Sequence, residues 1–208
     1  MVGMCATADP GWFVAELPVS SRAATWAAEA HAGQERDVDG APFVVHALEV
    51  ALHLYVLGYR DEVVAAAILH DIVEKTPASL ATVAESFGDD LAAMVEALTE
   101  DESITDYEDR KADLRRRAQD AGDEVLAVFA ADKVAKAREL RTAAAGDSAP
   151  APEVACKHAH YLASLELLER RLPDHPFTVE LRFELEAQAL TPGLAWLGGV
   201  ASPVAHAR

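Results

Sequence analysis

Apolar positions recur along most of the chain at intervals of three and four residues, the spacing that gathers side chains on one face of an α-helix. The clearest run is "VVHALEVALHLYVLG", with apolar residues at 44, 45, 48, 52 and 56. It predicts a helix that begins near Phe43 and is stopped by Gly58. Ahead of it, Ser20 and Ser21 read as the cap of a helix from about Arg22 to Ala32, ended near Gly33. "QERDVDGAP" is then a polar loop with Asp39-Gly40 as its turn. Asp61 reads as the cap of a helix that carries "AAAILHDIVEK" and ends before Pro77. A short helix follows Ser79 and closes at Phe87-Gly88, and another starts at Asp89. After the charged linker "DESITDYED" come "DRKADLRRRAQD", a polar helix, and "DEVLAVFAADKVAKARELRT", a more apolar one. "AAAGDSAPAP" reads as a loop, "EVACKHAHYLASLELLERRL" as a long amphipathic helix and "HPFTVELRFELEAQAL" as the last. No period-2 strand of useful length and no internal repeat stands out. The expected fold is all-α: one domain of about eight to ten helices over residues 20–190. An N-terminal extension (1–19) and a flexible tail (191–208) flank it.

Composition agrees with this pattern and narrows the partners. Alanine is abundant and aromatics are 6% of the chain, which favours helix. The net charge is -17, a field that repels nucleic acid and anionic membrane. A small anionic ligand would therefore need a local cluster of cations. The two cysteines, Cys5 and Cys156, form no disulfide framework or zinc-type spacing. The N-terminus lacks a basic region followed by an apolar core, so it does not read as a signal peptide. No apolar stretch reaches a membrane span. These features read as a soluble, cytoplasmic protein, with the oligomeric state left open.

The chemistry concentrates where polar residues interrupt apolar helices. In "ILHDIVEKT", Glu74 stands four residues after His70 and three after Asp71, so on a helix the three share a face. Such a mixed nitrogen and oxygen donor set suits manganese, iron or zinc, but it needs further ligands from other helices. Two residues stand out as candidates. His46 lies in the first turn of an otherwise apolar helix, and Asp132 interrupts "VLAVFAADKVA", where a carboxylate is unwelcome unless paired or metal-bound.

Three segments in order, "AHAGQERDVDGAPFVVHALEVALHL", "AAAILHDIVEKTPASLATVAESFGDDLAAMVEALTED" and "FAADKVAKARELRT", carry a family resemblance. The chain resembles the HD-domain metal-dependent phosphohydrolases over roughly residues 22–185. Within them it is similar to the RelA/SpoT-type (p)ppGpp hydrolase domain and its small stand-alone Mesh1-like relatives. The resemblance implies a divalent metal, usually Mn2+, held by His46, His70, Asp71 and Asp132. It implies hydrolysis of the 3′-diphosphate of a guanosine alarmone, a small anionic nucleotide, with release of pyrophosphate. Glu74 then fits as the catalytic residue that orients water or moves its proton. Hydrolysis of another nucleotide or phosphate ester, and a metal-retaining nucleotide-binding module without turnover, are the alternatives.

Three positions depart from that family's pattern. Lys75 stands where the alarmone hydrolases carry an aspartate after the glutamate. Of the two basic residues that sandwich the base, Arg36 matches the first and Asp37 stands at the second. In "DKVAKAR", Lys136 takes the usual asparagine position. Arg36, Lys75, Lys133, Lys136 and Arg138 are the candidate substrate contacts, although the residues of one helix cannot all face one pocket. Among the other histidines, His31 reads as bordering the pocket and His53 as structural. His158 and His160, two apart, point to different faces.

Overall fold

Among the described residues the chain is helical throughout, joined by short turns, with one isolated bridge between Glu35 and Pro42. The computed structural model describes residues 11–143, 152–191, 194 and 197. A 3-10 turn (Trp12–Glu16) leads into α1 (Pro18–Ala30), α2 (Val44–Val56), α3 (Asp61–Leu69) and α4 (Ile72–Lys75). Then come α5 (Leu80–Phe87), α6 (Asp89–Leu98), α7 (Tyr107–Asp120), α8 (Asp123–Ala143), α9 (Pro152–Arg171) and α10 (Pro176–Leu190). No described helix is long and apolar enough to cross a membrane.

The all-α expectation holds, and the centre of the bundle explains why. Every residue of α3 from Val63 to Leu69 is buried, as a helix apolar on all sides must be. It packs against α1, α2, α6 and α8, and its three alanines (65–67) let those helices come close. The middle of α8, from Val125 to Ala135, is buried in the same way. Leu69 and Ile72 are fully buried on either side of His70-Asp71. Burial of such a side chain stabilises by ~1.5–3 kcal/mol, so the motif is pinned at both ends.

Several local expectations are corrected. The helix expected to run on to residue 75 breaks at His70-Asp71, and Asp71 sits at φ -98°, ψ 0°. The His70 ring bonds the Ala67 carbonyl at 2.7 Å, the group a continuing helix would offer to the Asp71 N–H. Ser20 is not the cap of α1, which starts at Pro18, and Asp61 does not cap its own helix. Instead the Asp61 carboxylate accepts from the Val19 and Ser20 N–H groups, each at 2.8 Å, and from the Ser20 hydroxyl at 2.6 Å. It caps α1 from across the fold. Ser79 does cap α5, in a reciprocal capping box with Thr82. Gly58 and Gly88 end their helices at φ +79° and +92°, which L side chains rarely adopt.

Residues 12–19, read from sequence as part of an extension, tuck Phe13 and Val14 into the core, with Phe13 5.3 Å from the Tyr55 ring. The first ten residues, the loop expected at 143–152 from residue 144 through 151, and the tail beyond 191 apart from Leu194 and Leu197 lie outside the described residues. Those two leucines are buried.

Candidate metal centre and phosphate cleft

Three helices deliver the polar cluster. His46 comes from the first turn of α2, His70 and Asp71 from the break after α3, and Asp132 from the middle of α8. All four are buried, none more than 4% exposed. One ligand atom from each of His46, His70 and Asp132 lies within 4.8 Å of the others. Asp132 Oδ1 is the hub: it is 3.1 Å from His46 Nε2 and 3.3 Å from His70 Nε2. Asp71 joins through its Oδ1, 3.5 Å from His70 Nε2.

The orientation of the two rings tests whether this set fits a cation. His70 Nδ1 lies 2.7 Å from the Ala67 carbonyl, so Nδ1 donates there and Nε2 is turned towards the cluster. That Nε2, and Asp71 Oδ2, are buried without a hydrogen-bond partner, a costly state unless something else occupies them. His46 likewise turns Nε2 inward and aims Nδ1 at Glu139, 3.4 Å away. A recess of about 20 Å³ lies against His70, Asp71, Glu74 and Asp132, room for a species the size of one water. Donor chemistry, ring orientation, orphaned atoms and volume all fit a divalent cation.

Lysines balance the carboxylates. Lys133 Nζ is 2.7 Å from Asp132 Oδ2 and rests 4.7 Å from the Phe129 ring centre. Lys136 Nζ is 3.0 Å from Asp132 Oδ1 and 3.8 Å from Asp71 Oδ1. Burial alone would raise the Asp132 and Asp71 carboxyls, but these ammonium groups and the histidines outweigh it and hold both far below the usual range. Burial opposes a charge on His46 too, yet its bond to Asp132 and the Glu139 carboxylate 3.4 Å from Nδ1 raise it to about 9. Cation binding here would therefore release a proton.

The recess shares Glu74, Glu100, Lys133 and Lys136 with a cleft of about 410 Å³, which opens between α2, α4, α7, α8 and α9. Glu74 stands between the two. Its Oε1 accepts from the Glu100 N–H at 2.6 Å, and Oε2 makes no hydrogen bond among the described residues. Burial first, then repulsion from Asp71, pushes the Glu74 carboxyl up. The chain has five lysines, Lys75, Lys111, Lys133, Lys136 and Lys157, and all five line this cleft. The same wall carries Glu35, Asp37, Glu74, Glu100 and Glu139, and the Lys111 ammonium is paired with Glu100, so in a chain of charge -17 the lysines locally offset the acidic excess an anionic ligand would meet.

The structure sorts the expected substrate contacts. Lys133 and Lys136 reach both cleft and recess. Lys75 is exposed at the mouth, 5.2 Å from the Phe43 ring centre. It pairs with no carboxylate among the described residues, so no ion pair with Asp71 forms. Arg36 lines the cleft, but its guanidinium is already held by Asp39 and, at 3.4 Å each, by Glu49 and Glu139. Arg138 is a correction. It binds Glu49, Glu180 and Glu184 beside α10, away from the cleft. Six residues after Asp132, it lies about 120° around the helix from it.

Sequence reasoning missed Glu139, Tyr107, Lys157 and Tyr161 in the cleft wall; Lys111, which stood out only as half of a basic pair with Arg110, and His160, read only as facing away from His158, also line it. Glu139 had a signal: it is seven residues after Asp132, on the same face. His160 Nδ1 is 2.7 Å from Arg115 Nη1, while His158 bonds Gln188, so the two do face apart. His31 touches Phe43 at 4.9 Å between ring centres but is not part of the wall. His53 is packed near Phe177.

Comparison with known proteins agrees with this geometry. The HD domain model matches residues 23–160. A guanosine-3′,5′-bis(diphosphate) 3′-pyrophosphohydrolase of Aquifex aeolicus is 41% identical over 78 residues, 38% of this chain and 11% of that one. The enzyme of that activity called MESH1 in Mus musculus is 36% identical over 121 residues, 57% of this chain and 67% of its own. The chain thus spans only about a tenth of the large bacterial relatives (11% and 10%). Among solved structures, a metazoan ortholog of SpoT that hydrolyses ppGpp superposes with a TM-score of 0.69 at 24% identity, covering 83% of this chain and 96% of that one; that likeness is one of fold. The Listeria monocytogenes protein lmo0812 gives 0.64 at 28% identity, covering 71% and 98%. With its histidines and aspartates gathered at one buried point and two thirds of its length matched, the chain belongs to the HD-domain family.

Proposed function

We propose that the protein is a metal-dependent phosphohydrolase that removes the 3′-diphosphate of a guanosine alarmone as pyrophosphate. The observation that carries this reading is the junction of two features. A buried imidazole and carboxylate cluster with inward-turned Nε2 atoms opens directly onto the cleft that holds every lysine of the chain. The relatives' names supply the alarmone. His46, His70, Asp71 and Asp132 would hold the cation, and manganese suits a set of two imidazoles and two carboxylates. When bound, such a cation supplies Lewis acidity, acidifying water and offsetting charge on a phosphate.

The chain's own groups do the rest. Glu74 Oε2, the oxygen that the Glu100 N–H does not hold, accepts the proton of the attacking water, and burial and Asp71 raise the basicity of the carboxylate for that task. Lys133, Lys111 and Lys157 neutralise the diphosphate in the cleft. Glu139 steadies His46 through Nδ1. Phe43 at the mouth offers an aromatic face to the rest of the nucleotide.

A second reading, another nucleotide or a binder without turnover, draws support from Lys75. It replaces an acidic group with a cation and stands unpaired at the mouth. The deciding experiment incubates Mn2+-loaded protein with a nucleotide panel that includes the alarmone, and reads phosphate and pyrophosphate. Alarmone turnover with pyrophosphate release is expected. Nucleotide binding with no turnover across the panel would overturn the hydrolase assignment.

A further inference from the structure

We infer that Lys136 is a tethered counter-ion of the metal centre: its ammonium occupies the carboxylates when no divalent cation is present, and a cation must displace it into the cleft. The inference rests on the reading above that His46, His70, Asp71 and Asp132 hold a cation. Lys136 Nζ lies 3.0 Å from Asp132 Oδ1 and 3.8 Å from Asp71 Oδ1. Asp132 Oδ1 is the oxygen towards which both imidazole Nε2 atoms point. A divalent cation and an ammonium cannot both sit against that one oxygen, because like charges at contact distance in a buried site repel strongly.

Lys133 plays a different part. It takes the other oxygen, Asp132 Oδ2, and its side chain is 5% exposed against the Phe129 ring. The Lys136 side chain is 29% exposed and borders both the recess and the open cleft. A lysine stem has four rotatable methylenes, so the ammonium can leave the carboxylates for the cleft while the helix stays still. An asparagine here, the residue the family resemblance leads one to expect, carries no charge to compete. Lys136 would thus weaken metal binding while stabilising the metal-free protein.

The test compares wild type with Lys136→Met and with Lys136→Asn. Mn2+ affinity is measured by calorimetry on metal-stripped protein, and unfolding by circular dichroism in chelator. We expect each variant to bind Mn2+ at least about tenfold more tightly, the effect of removing one competing charge, and to unfold at a lower temperature when metal-free. Equal or weaker Mn2+ binding by both variants would overturn the inference. Wild-type protein gives an independent readout that needs no variant. Acetylation by an amine-reactive reagent, mapped by mass spectrometry, should rise at least severalfold at Lys136 on Mn2+ loading and stay low at Lys133; no rise at Lys136 overturns the displacement. Absence of Mn2+ binding in wild type and variants alike would instead sink the metal-centre reading on which this one stands.

Discussion

Acidification should destabilise the protein through His160, and the size of the effect follows from its surroundings. The ring is 5% exposed, and Arg115 donates to Nδ1 at 2.7 Å. A guanidinium has no acceptor, so Nδ1 must be the unprotonated nitrogen and the imidazole is neutral. Burial lowers its pKa first, and Lys133, Lys111 and Arg115 lower it further; Asp132 is the one opposing charge. The unfolded chain's histidine titrates near 6.5. Below that pH the unfolded state binds a proton that the folded state refuses, so stability falls as pH falls. Between about pH 7 and about pH 5.5 the difference amounts to about 1.2 kcal/mol for a site that stays neutral in the fold. In a domain of this size that is roughly 2–5 °C in Tm. The assay is thermal unfolding of metal-free wild type and His160→Gln across this range in chelator. The variant removes the site, while the other histidines titrate in both proteins and cancel. Wild type should lose about 1.2 kcal/mol more than the variant on acidification. Parallel pH profiles would refute the reasoning, because His160 would then have an ordinary pKa in the folded protein.

Three further outcomes follow from the site and the fold. Glu74→Gln should retain bound Mn2+, measured by metal analysis, yet lower kcat for pyrophosphate release by ~10²–10⁴; an unchanged rate would remove Glu74 from proton transfer. Lys75→Asp, which restores the acidic residue of the alarmone hydrolases at an exposed position, should raise alarmone hydrolysis at least severalfold while stability changes by only ~0.5 kcal/mol. Equal or lower activity would count against Lys75 as the residue that blunts the reaction. Asp61→Ala removes the acceptor of two N–H groups and one hydroxyl at the start of α1. It should cost about 3 kcal/mol, read as a Tm lowered by roughly 6–12 °C; a shift under about 2 °C would mean that water replaces the cap.

What the sequence made legible and what it hid divide along a physical line. Period and punctuation act within a few residues, so most helices, Gly58, Gly88 and the Ser79 cap could be read directly. Buried polar residues in apolar helices are costly wherever they lie, so His46, His70, Asp71 and Asp132 were visible before any contact was known. The helix break was not visible, because it depends on the His70 ring reaching back to the Ala67 carbonyl. Nor was the role of Asp61, whose local pattern fits a cap for its own helix while its partners lie 41 and 42 residues away. Arg138 and Glu139 are the instructive pair. Both stand on α8 near Asp132, and helix geometry alone turns the first away from the cleft and the second into it. The lysines make the reverse case. Their small number is plain in the sequence, but they come from four separate segments, around residues 75, 111, 133–136 and 157. Only the packing of α4, α7, α8 and α9 gathers the five scattered lysines around one cleft, among its glutamates and beside the candidate metal centre. The long-range fold therefore decides which charges meet in the cleft, while the local sequence shows only which residues carry them.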